Sequence, residues 1–226
     1  MPIHKGNLSA LKFFTAQNAG SYDWLVYTAT FGQDDEWKKQ IVESVKGSKM
    51  ILDLGCGTGI LSTALRNVSY LAEVVGLDLN FEYLQVASAK RIDIPLLNAT
   101  VEELPFIDEV FDSVVTSYVP KYIHVERMIE ECLRVLKNNG TLVIHDFTYP
   151  NSKLMQLTWK SYFVLLKIIS NIVRSWKDVF MELDNVIEES RWLKDCMSVL
   201  ESKGMKSVKC TYHTLGTAAI IVAHKK

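Results

Sequence analysis

The chain has 226 residues, of which 48% are hydrophobic, and this length suits one α/β domain that buries a full core. Its net charge of −1 at pH 7 provides no basic field that would favour binding to nucleic acid. No run of about 18 apolar residues marks a transmembrane helix, residues 1–12 lack the continuous apolar core of a signal peptide, and we expect a cytoplasmic protein.

The cysteines give no sign of a disulfide or of a metal site. The chain contains four of them, Cys56, Cys132, Cys196 and Cys210. They form no CxxC pair and have no histidine at ligand spacing, so we expect reduced, buried thiols and no bound metal.

The first informative motif in chain order is a glycine-rich turn that follows a short apolar run. Met50–Leu54 reads as a buried strand and Ile60–Asn67 as a helix. Asp53 is placed at the carboxyl end of that strand, where open α/β sheets bind their ligands. The intervening turn consists of Gly55, Cys56, Gly57, Thr58 and Gly59. Its glycines allow the backbone to bend tightly and to approach a ligand closely.

The spacing of these glycines distinguishes between two classes of nucleotide-like cofactor. A dinucleotide fingerprint reads G-x-G-x-x-G and directs a helix N-terminus at a pyrophosphate. Here the pattern is G-x-G-x-G after an acidic residue, which suits a ligand with a cationic end and no phosphate. The next predicted strand, Val74–Asp78, ends in a carboxylate suited to accept from a ribose diol. The pattern resembles motif I of class I S-adenosylmethionine methyltransferases, and for this motif alone a nicotinamide enzyme is the alternative.

Helix and strand patterns alternate after residue 48, which favours a parallel, doubly wound sheet. A helix is predicted from near Ser190 to Gly204, where a C-cap glycine ends it. The further predicted strands are Ile94–Asn98, Phe111–Ser117, Thr141–Phe147, Val208–Tyr212 and Thr217–Ala223. The last two form an antiparallel pair. We therefore predict the α/β, Rossmann-like, seven-stranded methyltransferase sheet, mostly parallel with one antiparallel strand and with helices on both faces.

Segments in the second half of the chain point to the same cofactor. Pro105 breaks a helical pattern, Phe111–Val115 reads as a buried strand, and Asn139-Gly140 turns the chain into the next strand. Their order and spacing behind the glycine turn are typical of a protein that binds S-adenosylmethionine. The expected contacts of this cofactor include Asp53, Gly55, Cys56, Gly57, Thr58, Gly59, Asp78, Leu79 and Ser117.

One family matches the sequence almost from end to end. Three pairs reproduce, without a gap, the spacing of its amino-terminal signature: Tyr22-Asp23, Phe31-Gly32 and Trp37-Lys38. Arg134–Lys137 and Asp146–Pro150 are similar to its second signature, with Asp146 where the family has Glu. Further matches are Trp159 and Tyr162, where the family places paired tyrosines, and a loosened N-L-T-x-G turn at His213–Thr217. The chain thus resembles the ubiquinone/menaquinone biosynthesis C-methyltransferases.

This resemblance implies how the chain is organised and what it does. It implies an N-terminal helical cap at 1–48, a cofactor-binding core at 49–150, a helical lid insertion at 151–189, and a C-terminal helix and strand pair at 190–226. It also implies C-methylation of a reduced, prenylated quinol of the demethylmenaquinol or ubiquinol-precursor type. The family's Asn-Ala pair, which contacts adenine, corresponds to Thr100-Val101 by simple counting or to Asn98-Ala99 with a short insertion.

The chain departs from the family after the fourth predicted strand. There the family reads S-F-G-L-R-N, and this chain reads Ser117-Tyr118-Val119-Pro120-Lys121-Tyr122. Lysine cannot reproduce the bidentate contact of a guanidinium group, and a tyrosine replaces the asparagine. Because these changes concern the acceptor, two alternatives stay open. One is a methyltransferase for another small apolar or phenolic acceptor, acting at oxygen or nitrogen, and the other is a catalytically silent binding protein with this fold.

Methyl transfer to a ring carbon requires an aligned, electron-rich acceptor and a base near its hydroxyl. A hydroquinone meets this need, above all when it is deprotonated, whereas the oxidised quinone is itself an electrophile. The candidate residues are Tyr22, Asp23, Tyr118, Lys121, Tyr122, His145 and Asp146. His145 and Asp146 are neighbours on a strand, so we expect only one of them to face the pocket. Asp146 and Tyr118 rank first, and Lys121 and Tyr22 follow.

The predicted insertion is both apolar and basic. Residues 147–177 contain no acidic side chain, and cations recur at seven-residue intervals, namely Lys153, Lys160, Lys167 and Arg174. In a helix this spacing drifts by about 20° per step and forms one basic stripe. Three interpretations compete for 152–177: a lid over the acceptor pocket, a membrane-surface helix whose cations meet anionic headgroups, and a homodimer contact. The first two are compatible because a prenylated quinol resides in the membrane.

Overall fold

The computed structural model describes residues 10–68 and 72–226. Its strands are β1 Met50–Leu54, β2 Glu73–Asp78, β3 Leu96–Asn98, β4 Phe111–Ser117, β5 Leu136–Phe147, β6 Lys206–His213 and β7 Ala218–His224. They form one seven-stranded sheet in the order β3-β2-β1-β4-β5-β7-β6. Strands β1 to β5 pair in parallel, and β7 runs antiparallel to both β5 and β6. The predicted fold class is confirmed.

Two strand boundaries differ clearly from the prediction. β3 begins at Leu96 rather than Ile94, and β5 begins at Leu136 rather than Thr141. Pairing between β4 and β5 already starts at Phe111 and Leu136, and its register then shifts. Asn139 has a left-handed φ of 61° at this shift. The Asn139-Gly140 turn is therefore an irregularity inside β5, and the prediction that it precedes the strand is wrong.

The helices surround this sheet. They are α1 Ala16–Ala19, α2 Tyr22–Ala29, α3 Gln33–Ser44, α4 Ile60–Val68, α5 Phe81–Ala89, α6 Val125–Val135, α7 Lys153–Ile169, α8 Lys177–Glu189 and α9 Trp192–Ser202. The buried residues of α6 recur every three or four positions, from Val125 to Val135, so one face of the helix enters the core. Among the helices of residues 10–68 and 72–226, none combines the length and apolarity needed to span a bilayer.

Apolar cores lie on both faces of the sheet. β1 is buried without interruption from Ile51 to Leu54, as expected for a central parallel strand that is covered on both sides. Successive side chains of a strand point to opposite faces. Leu52 accordingly packs with α6 and α9, whereas Ile51 packs with Trp37 and Ile41 of α3.

The segment before the sheet and the insertion after β5 bind each other. We call residues 10–48 the cap and residues 153–189 the lid; the first nine residues of the predicted cap lie outside the described residues. The Tyr162 hydroxyl of the lid donates to the Ala29 carbonyl of the cap at 2.7 Å. The Trp176 indole N–H donates to Ser21 Oγ at 3.0 Å. Cap and lid therefore form one layer that covers the loops following the strands.

Packing of α6 against the sheet can be tested by removing Met128, which is fully buried. We expect Met128→Ala to lower the free energy of unfolding by about 2–5 kcal/mol, because the lost side chain leaves a cavity. Urea denaturation measures the change. Glu126→Ala, on the exposed side of the same helix, is the matched control and should change stability by less than about 0.5 kcal/mol. Equal losses in the two variants would contradict this packing.

Candidate active site

The glycine-rich turn after β1 packs against the end of β2. The Gly55 amide donates to the Leu77 carbonyl at 2.7 Å, and the Gly57 amide donates to Asp78 Oδ2 at 2.7 Å. Gly55 has a φ of +69°, and a Cβ at this position would lie 2.1 Å from Cγ2 of Val119. Any side chain here would disturb both the turn and its contact with the loop after β4.

An open cleft of about 740 Å³ lies beside this turn. Asp78 lines the cleft, and its two carboxylate oxygens accept from the amides of Gly57 and Asn80, each at 2.7 Å. Burial raises the pKa of Asp78, while the backbone hydrogen bonds oppose the rise. A cleft at the carboxyl ends of β1 and β2, with a carboxylate at its wall, suits a nucleoside-sized ligand.

The structure separates the predicted cofactor contacts into two groups. Those that line the cleft are Gly55, Gly57, Asp78, Leu79, Thr100, Val101 and Ser117. Of the others, Asp53 lies in β1, and Cys56, Thr58 and Gly59 belong to the body of the turn. Asp53 is buried and accepts from Ser62 Oγ at 2.5 Å. Burial raises the pKa of Asp53 to about 7, against the Ser62 hydrogen bond and the Lys38 charge. Direct contact of this second group with a cofactor stays a prediction.

The two alternatives for the adenine contact occupy different places. Thr100 and Val101 line the cleft. The Asn98 amide group instead donates to the carbonyls of Asp78 and Leu79, at 2.9 Å each, and Ala99 packs against the core. Asn98 thus supports the end of β2, and the geometry favours Thr100-Val101 as the pair next to a base.

Asp23, a predicted catalytic candidate, is bound to the glycine turn. Thr58 Oγ1 donates to Asp23 Oδ1 at 2.5 Å. Lys90 donates both to the other carboxylate oxygen and, at 2.7 Å, to the Thr58 carbonyl. Because Asp23 lies in the first turn of α2, these bonds fasten the cap to the turn. This arrangement assigns Asp23 to the positioning of the turn.

A second and larger cavity, of about 1310 Å³, lies between the cap and the lid. Its wall is almost entirely apolar and aromatic. Representative contributions come from Val26 and Ala29 of the cap and from Met155, Trp159, Phe163 and Phe180 of the lid. Thr214 and Thr217, from the turn that resembles the family's N-L-T-x-G motif, complete the wall. The cavity suits a large apolar ligand.

An aromatic wall is shared by the two cavities. Phe14, Tyr22, Tyr118 and Tyr122 line both of them. The Tyr118 ring stacks on Phe147 with a centroid distance of 4.7 Å, and Phe14 meets Tyr22 and Tyr122 edge to face. Two predicted catalytic residues, Tyr22 and Tyr118, therefore stand where a group would pass from the cleft to the apolar cavity.

The predicted residues Lys121 and Asp146 form a buried ion pair. Lys121 Nζ donates to Asp146 Oδ1 at 2.7 Å and to the Tyr118 carbonyl at 2.6 Å. The backbone amides of Lys121 and Phe147 also donate to the Asp146 carboxylate. Burial raises the pKa of Asp146 and lowers the pKa of Lys121, and their mutual attraction opposes both shifts. Of these two residues, Lys121 lines the second cavity and Asp146 does not. Asp146 therefore influences the cavity indirectly, by holding the ammonium group of Lys121 in place.

The His145 side chain lies on the face of β5 opposite to that of Asp146 and is fully buried. Its Nδ1 shares a hydrogen bond of 2.8 Å with the Ser117 hydroxyl, and its ring packs on Trp37 and Tyr118. Burial lowers the pKa of His145 well below its usual value, and the charges of Lys38 and Lys121 lower it further. A neutral His145 therefore packs against the Tyr118 ring and helps to hold it in place.

Sequence reasoning missed one acidic residue near this wall. Asp34, at the start of α3, is buried and paired with Lys38 one turn later. The Tyr118 hydroxyl donates to Asp34 Oδ1 at 2.7 Å. An acid and a lysine four residues apart are typical of a solvent-exposed helix face, so the pattern in the sequence suggested nothing unusual. Only the burial of α3 against the sheet, and the contact of Asp34 with Tyr118 of the loop after β4, distinguish this pair.

Two hydrogen-bond donors of the second cavity are buried without a partner among the described residues. They are the Tyr122 hydroxyl and the Trp159 indole N–H. Buried polar atoms of this kind are nearly always satisfied by protein, water or ligand. Both side chains belong to the wall of the second cavity, although the two donor atoms themselves are enclosed by protein.

Three of the four cations in the predicted basic stripe, Lys153, Lys160 and Lys167, lie on α7, whereas Arg174 falls beyond its end at Ile169. Lys160 pairs with Glu188 at 3.8 Å, and Lys167 pairs with Asp184 at 2.5 Å. These acids belong to α8, which packs beside α7, so two of the four cations face a neighbouring helix. The exposed side of the lid carries apolar residues beside exposed polar ones such as Lys153 and Lys160. The apolar residues are Leu154, Leu157, Val164, Leu165, Ile168 and Ile172.

The cysteines are free thiols. Cys56, Cys132 and Cys196 are buried, as expected, and Cys210 is half-buried. Within residues 10–68 and 72–226, no group of three or more histidine, cysteine or acidic side chains is placed to hold a metal ion.

Comparison with known proteins identifies relatives along nearly the whole chain. A family model described as the ubiE/COQ5 methyltransferase family matches residues 11–225. A demethylmenaquinone methyltransferase from Lactobacillus johnsonii is 29% identical over 92% of this chain and 89% of its own length. A protein with the same description from Thermotoga maritima is 33% identical over 66% of each chain.

Solved structures support the fold alone, because their sequence identities are low. A SAM dependent methyltransferase from Archaeoglobus fulgidus superposes with a TM-score of 0.64 at 16% identity, over 90% of this chain and 100% of that chain. A geranyl diphosphate C-methyltransferase from Streptomyces coelicolor gives a TM-score of 0.61 at 12% identity, over 85% of this chain and 76% of that chain.

We expect Gly55→Ala to weaken binding of S-adenosylmethionine at least about tenfold, roughly 1.4 kcal/mol, because the new Cβ meets Val119 and the φ of +69° is unfavourable. Isothermal titration calorimetry measures the affinity. Gly20→Ala is the matched control, since a Cβ there meets no atom within 4 Å. Adding Val119→Ala to Gly55→Ala should restore part of the affinity. Wild-type affinity in Gly55→Ala would contradict the placement of the cofactor beside this turn.

Proposed function

Because this chain belongs to the ubiE/COQ5 methyltransferase family, it is an S-adenosylmethionine-dependent methyltransferase, and we propose that it methylates a ring carbon of a reduced, lipophilic quinol. The observation that carries this proposal is the pair of cavities with a shared aromatic wall. The cleft suits a nucleoside and the larger cavity suits an apolar acceptor. Reactants held on the two sides of one wall can attain the alignment that in-line methyl transfer requires.

The residues of the cleft fit S-adenosylmethionine. Asp78 offers a carboxylate to the ribose diol, since each oxygen that accepts a backbone amide retains a further acceptor position. Gly55 and Gly57 leave space where a Cβ would otherwise project, and Thr100 and Val101 form the wall next to adenine. When bound, the cofactor supplies an electrophilic methyl group.

The apolar cavity fits an aromatic acceptor that carries oxygen atoms. Tyr122 and Trp159 of its wall carry the two unpartnered donors, and a small rotation of either side chain toward the cavity would let it bind a ring hydroxyl while the surrounding aromatic side chains pack on the ring. Burying a polar substituent without a hydrogen bond is unfavourable, so the two donors orient the ring. The names of the relatives from Lactobacillus johnsonii and Thermotoga maritima, both demethylmenaquinone methyltransferases, support a quinone-type acceptor.

Carbon methylation requires negative charge on the acceptor oxygen. Lys121 is the positive group in the wall of the acceptor cavity, and Asp146 holds its ammonium group in place. In surroundings of low polarity, a positive charge in the wall of the cavity strongly stabilises the phenolate that develops on the acceptor. Tyr118, stacked on Phe147 beside Lys121, can orient the hydroxyl that loses its proton.

This function predicts a dependence on the redox state of the acceptor. We expect methyl transfer from radiolabelled S-adenosylmethionine to chemically reduced demethylmenaquinol in detergent, and none to the oxidised quinone, because only the reduced ring is electron-rich at carbon. Extraction of the lipid fraction measures the product. Release of S-adenosylhomocysteine with another phenol but not with the quinol would favour the O- or N-methylation alternative. Cofactor binding without turnover on any phenolic acceptor would favour a silent binding protein.

The lid also has the surface expected of a membrane-docking helix. Leu154, Leu157, Val164, Leu165 and Ile168 are exposed at helical spacing along one face of α7, and Ile172 follows just after the helix. Phe31, 79% exposed, packs against Tyr162 of the lid and also lines the acceptor cavity. The apolar face thus continues to the mouth of the cavity. We therefore propose that this protein docks on the membrane surface through α7, so that a lipid-borne acceptor enters directly, with a homodimer contact as the competing use of this face.

We expect the double substitution Leu157→Asp and Ile168→Asp to reduce binding to lipid vesicles at least about tenfold, because it removes two exposed apolar side chains from the bilayer contact. Vesicle sedimentation measures the change. Ile107→Asp is the matched control, since Ile107 is even more exposed than Leu157 and Ile168 but lies in the β3–β4 connection. Unchanged vesicle binding would contradict membrane docking. A dimer that dissociates in the double variant would assign the face to self-association.

A further inference from the structure

The Tyr118 hydroxyl connects the acceptor cavity with a buried carboxylate of the cap. Tyr118 lines the cavity, and its hydroxyl donates to Asp34 Oδ1 at 2.7 Å. Asp34 is 2% exposed and reaches neither solvent nor the cavity directly. The wall of the cavity therefore contains a two-member hydrogen-bond chain that begins at an aromatic hydroxyl and ends at a carboxylate.

The surroundings of this chain keep the tyrosine protonated. Asp34 is paired with Lys38, also buried, and Lys38 Nζ lies 5.1 Å from the centroid of the Tyr118 ring. Burial raises the pKa of Tyr118 well above its usual value, and the charge of Asp34 raises it further. Tyr118 therefore does not rest as a phenolate. It can give up a proton only while it receives another.

We infer that Asp34 is the proton acceptor of the reaction and that Tyr118 conducts the proton to it, an inference that rests on the proposed quinol methylation. The acceptor O–H bond breaks as its proton passes to Tyr118 Oη, and the Tyr118 proton passes to Asp34 Oδ1. The acceptor becomes a phenolate and Asp34 a neutral acid. Once the ring carbon carries its methyl group, the ring proton leaves to water. The proton on Asp34 then returns through Tyr118 to the acceptor oxygen.

Buried charges flank both ends of this path. The ammonium groups of Lys38 and Lys121 lie 5.1 Å and 5.4 Å from the centroid of the Tyr118 ring. Proton transfer moves the negative charge from Asp34 to the acceptor ring, so no new charge is created in the interior. The charge remains near an ammonium group at either position, which avoids the large penalty of an isolated buried ion.

The kinetic test compares Asp34→Asn with Asp35→Asn, since Asp35 carries the same charge one residue later but is exposed. We expect kcat for reduced demethylmenaquinol to fall at least about 100-fold in Asp34→Asn and in Tyr118→Phe, with an unchanged Kd for S-adenosylmethionine and wild-type kcat in Asp35→Asn. Because both residues act in series, the double variant should lose little more than either single one.

Asp34→Asn leaves Lys38 without its buried partner, so the double substitution Asp34→Asn and Lys38→Met serves as a second variant. It removes both charges of the pair. A cooperative thermal unfolding transition, followed by circular dichroism, is the check that this variant is folded. It should show the same loss of kcat as Asp34→Asn. Recovery of wild-type kcat in this folded variant would overturn the inference, because no carboxylate is left to receive the proton.

A spectroscopic test needs no cofactor and no turnover. Addition of 4-nitrophenol to the cofactor-free protein, at a pH where free nitrophenol is protonated, should produce nitrophenolate absorbance. An infrared band of a protonated carboxylic acid should appear together with it. Both signals should be lost in Asp34→Asn and in Tyr118→Phe and kept in Asp35→Asn. A merely structural role for Asp34 would leave the infrared difference spectrum, taken before and after addition of 4-nitrophenol, without a gain in the carboxylic acid band.

The results separate this inference from the proposed function. Wild-type protein that fails to methylate any reduced quinol overturns the function. Wild-type protein that methylates the quinol, with Asp34→Asn equally fast, overturns the relay and leaves the function intact.

Discussion

Two buried ion pairs, Asp34–Lys38 and Lys121–Asp146, are the constraint on which the arrangement of the site depends. An unpaired charge in the interior is costly, so each of these charges keeps its partner. Asp34 and Lys38 both lie in α3, whereas Lys121 and Asp146 join two elements. The first pair stabilises α3 of the cap against Tyr118. The second fixes the loop after β4 to the end of β5. Tyr118 lies between them, and its ring forms part of the wall between the cleft and the apolar cavity.

The cofactor cleft and the acceptor cavity are coupled through the cap. Asp23 of the cap binds Thr58 and Lys90 beside the glycine turn, and the Asn80 amide group after β2 donates to the Phe14 carbonyl at 2.6 Å. The same cap binds the lid through Tyr162 and Trp176. A displacement of the cap would therefore change both cavities together, which suits a reaction in which both ligands must be aligned at once.

The polarity of the lid follows from what each of its faces meets. Lys160 and Lys167 extend to acids of α8, the inner aromatic residues line the acceptor cavity, and the remaining face is apolar and exposed. A seven-residue spacing places side chains on one side of a helix, but it does not reveal what packs there. Two cations of the predicted basic stripe therefore have acidic partners that the spacing did not reveal, and the proposed docking face is formed mainly by apolar residues.

The sequence by itself determined the sheet, the glycine turn and the family, because these depend on local signals. Buried strands, positive-φ glycines and the carboxylate of Asp78 occur at fixed spacings along the chain. The tertiary structure decided which of the candidate polar residues face a ligand. It turned Asp146 and His145 away from the cavities, placed Thr100 rather than Asn98 at the cleft, and brought Asp34 to Tyr118, 84 residues away. Such contacts arise from the packing of cap, lid and sheet, which the spacing of residues along a chain does not reveal.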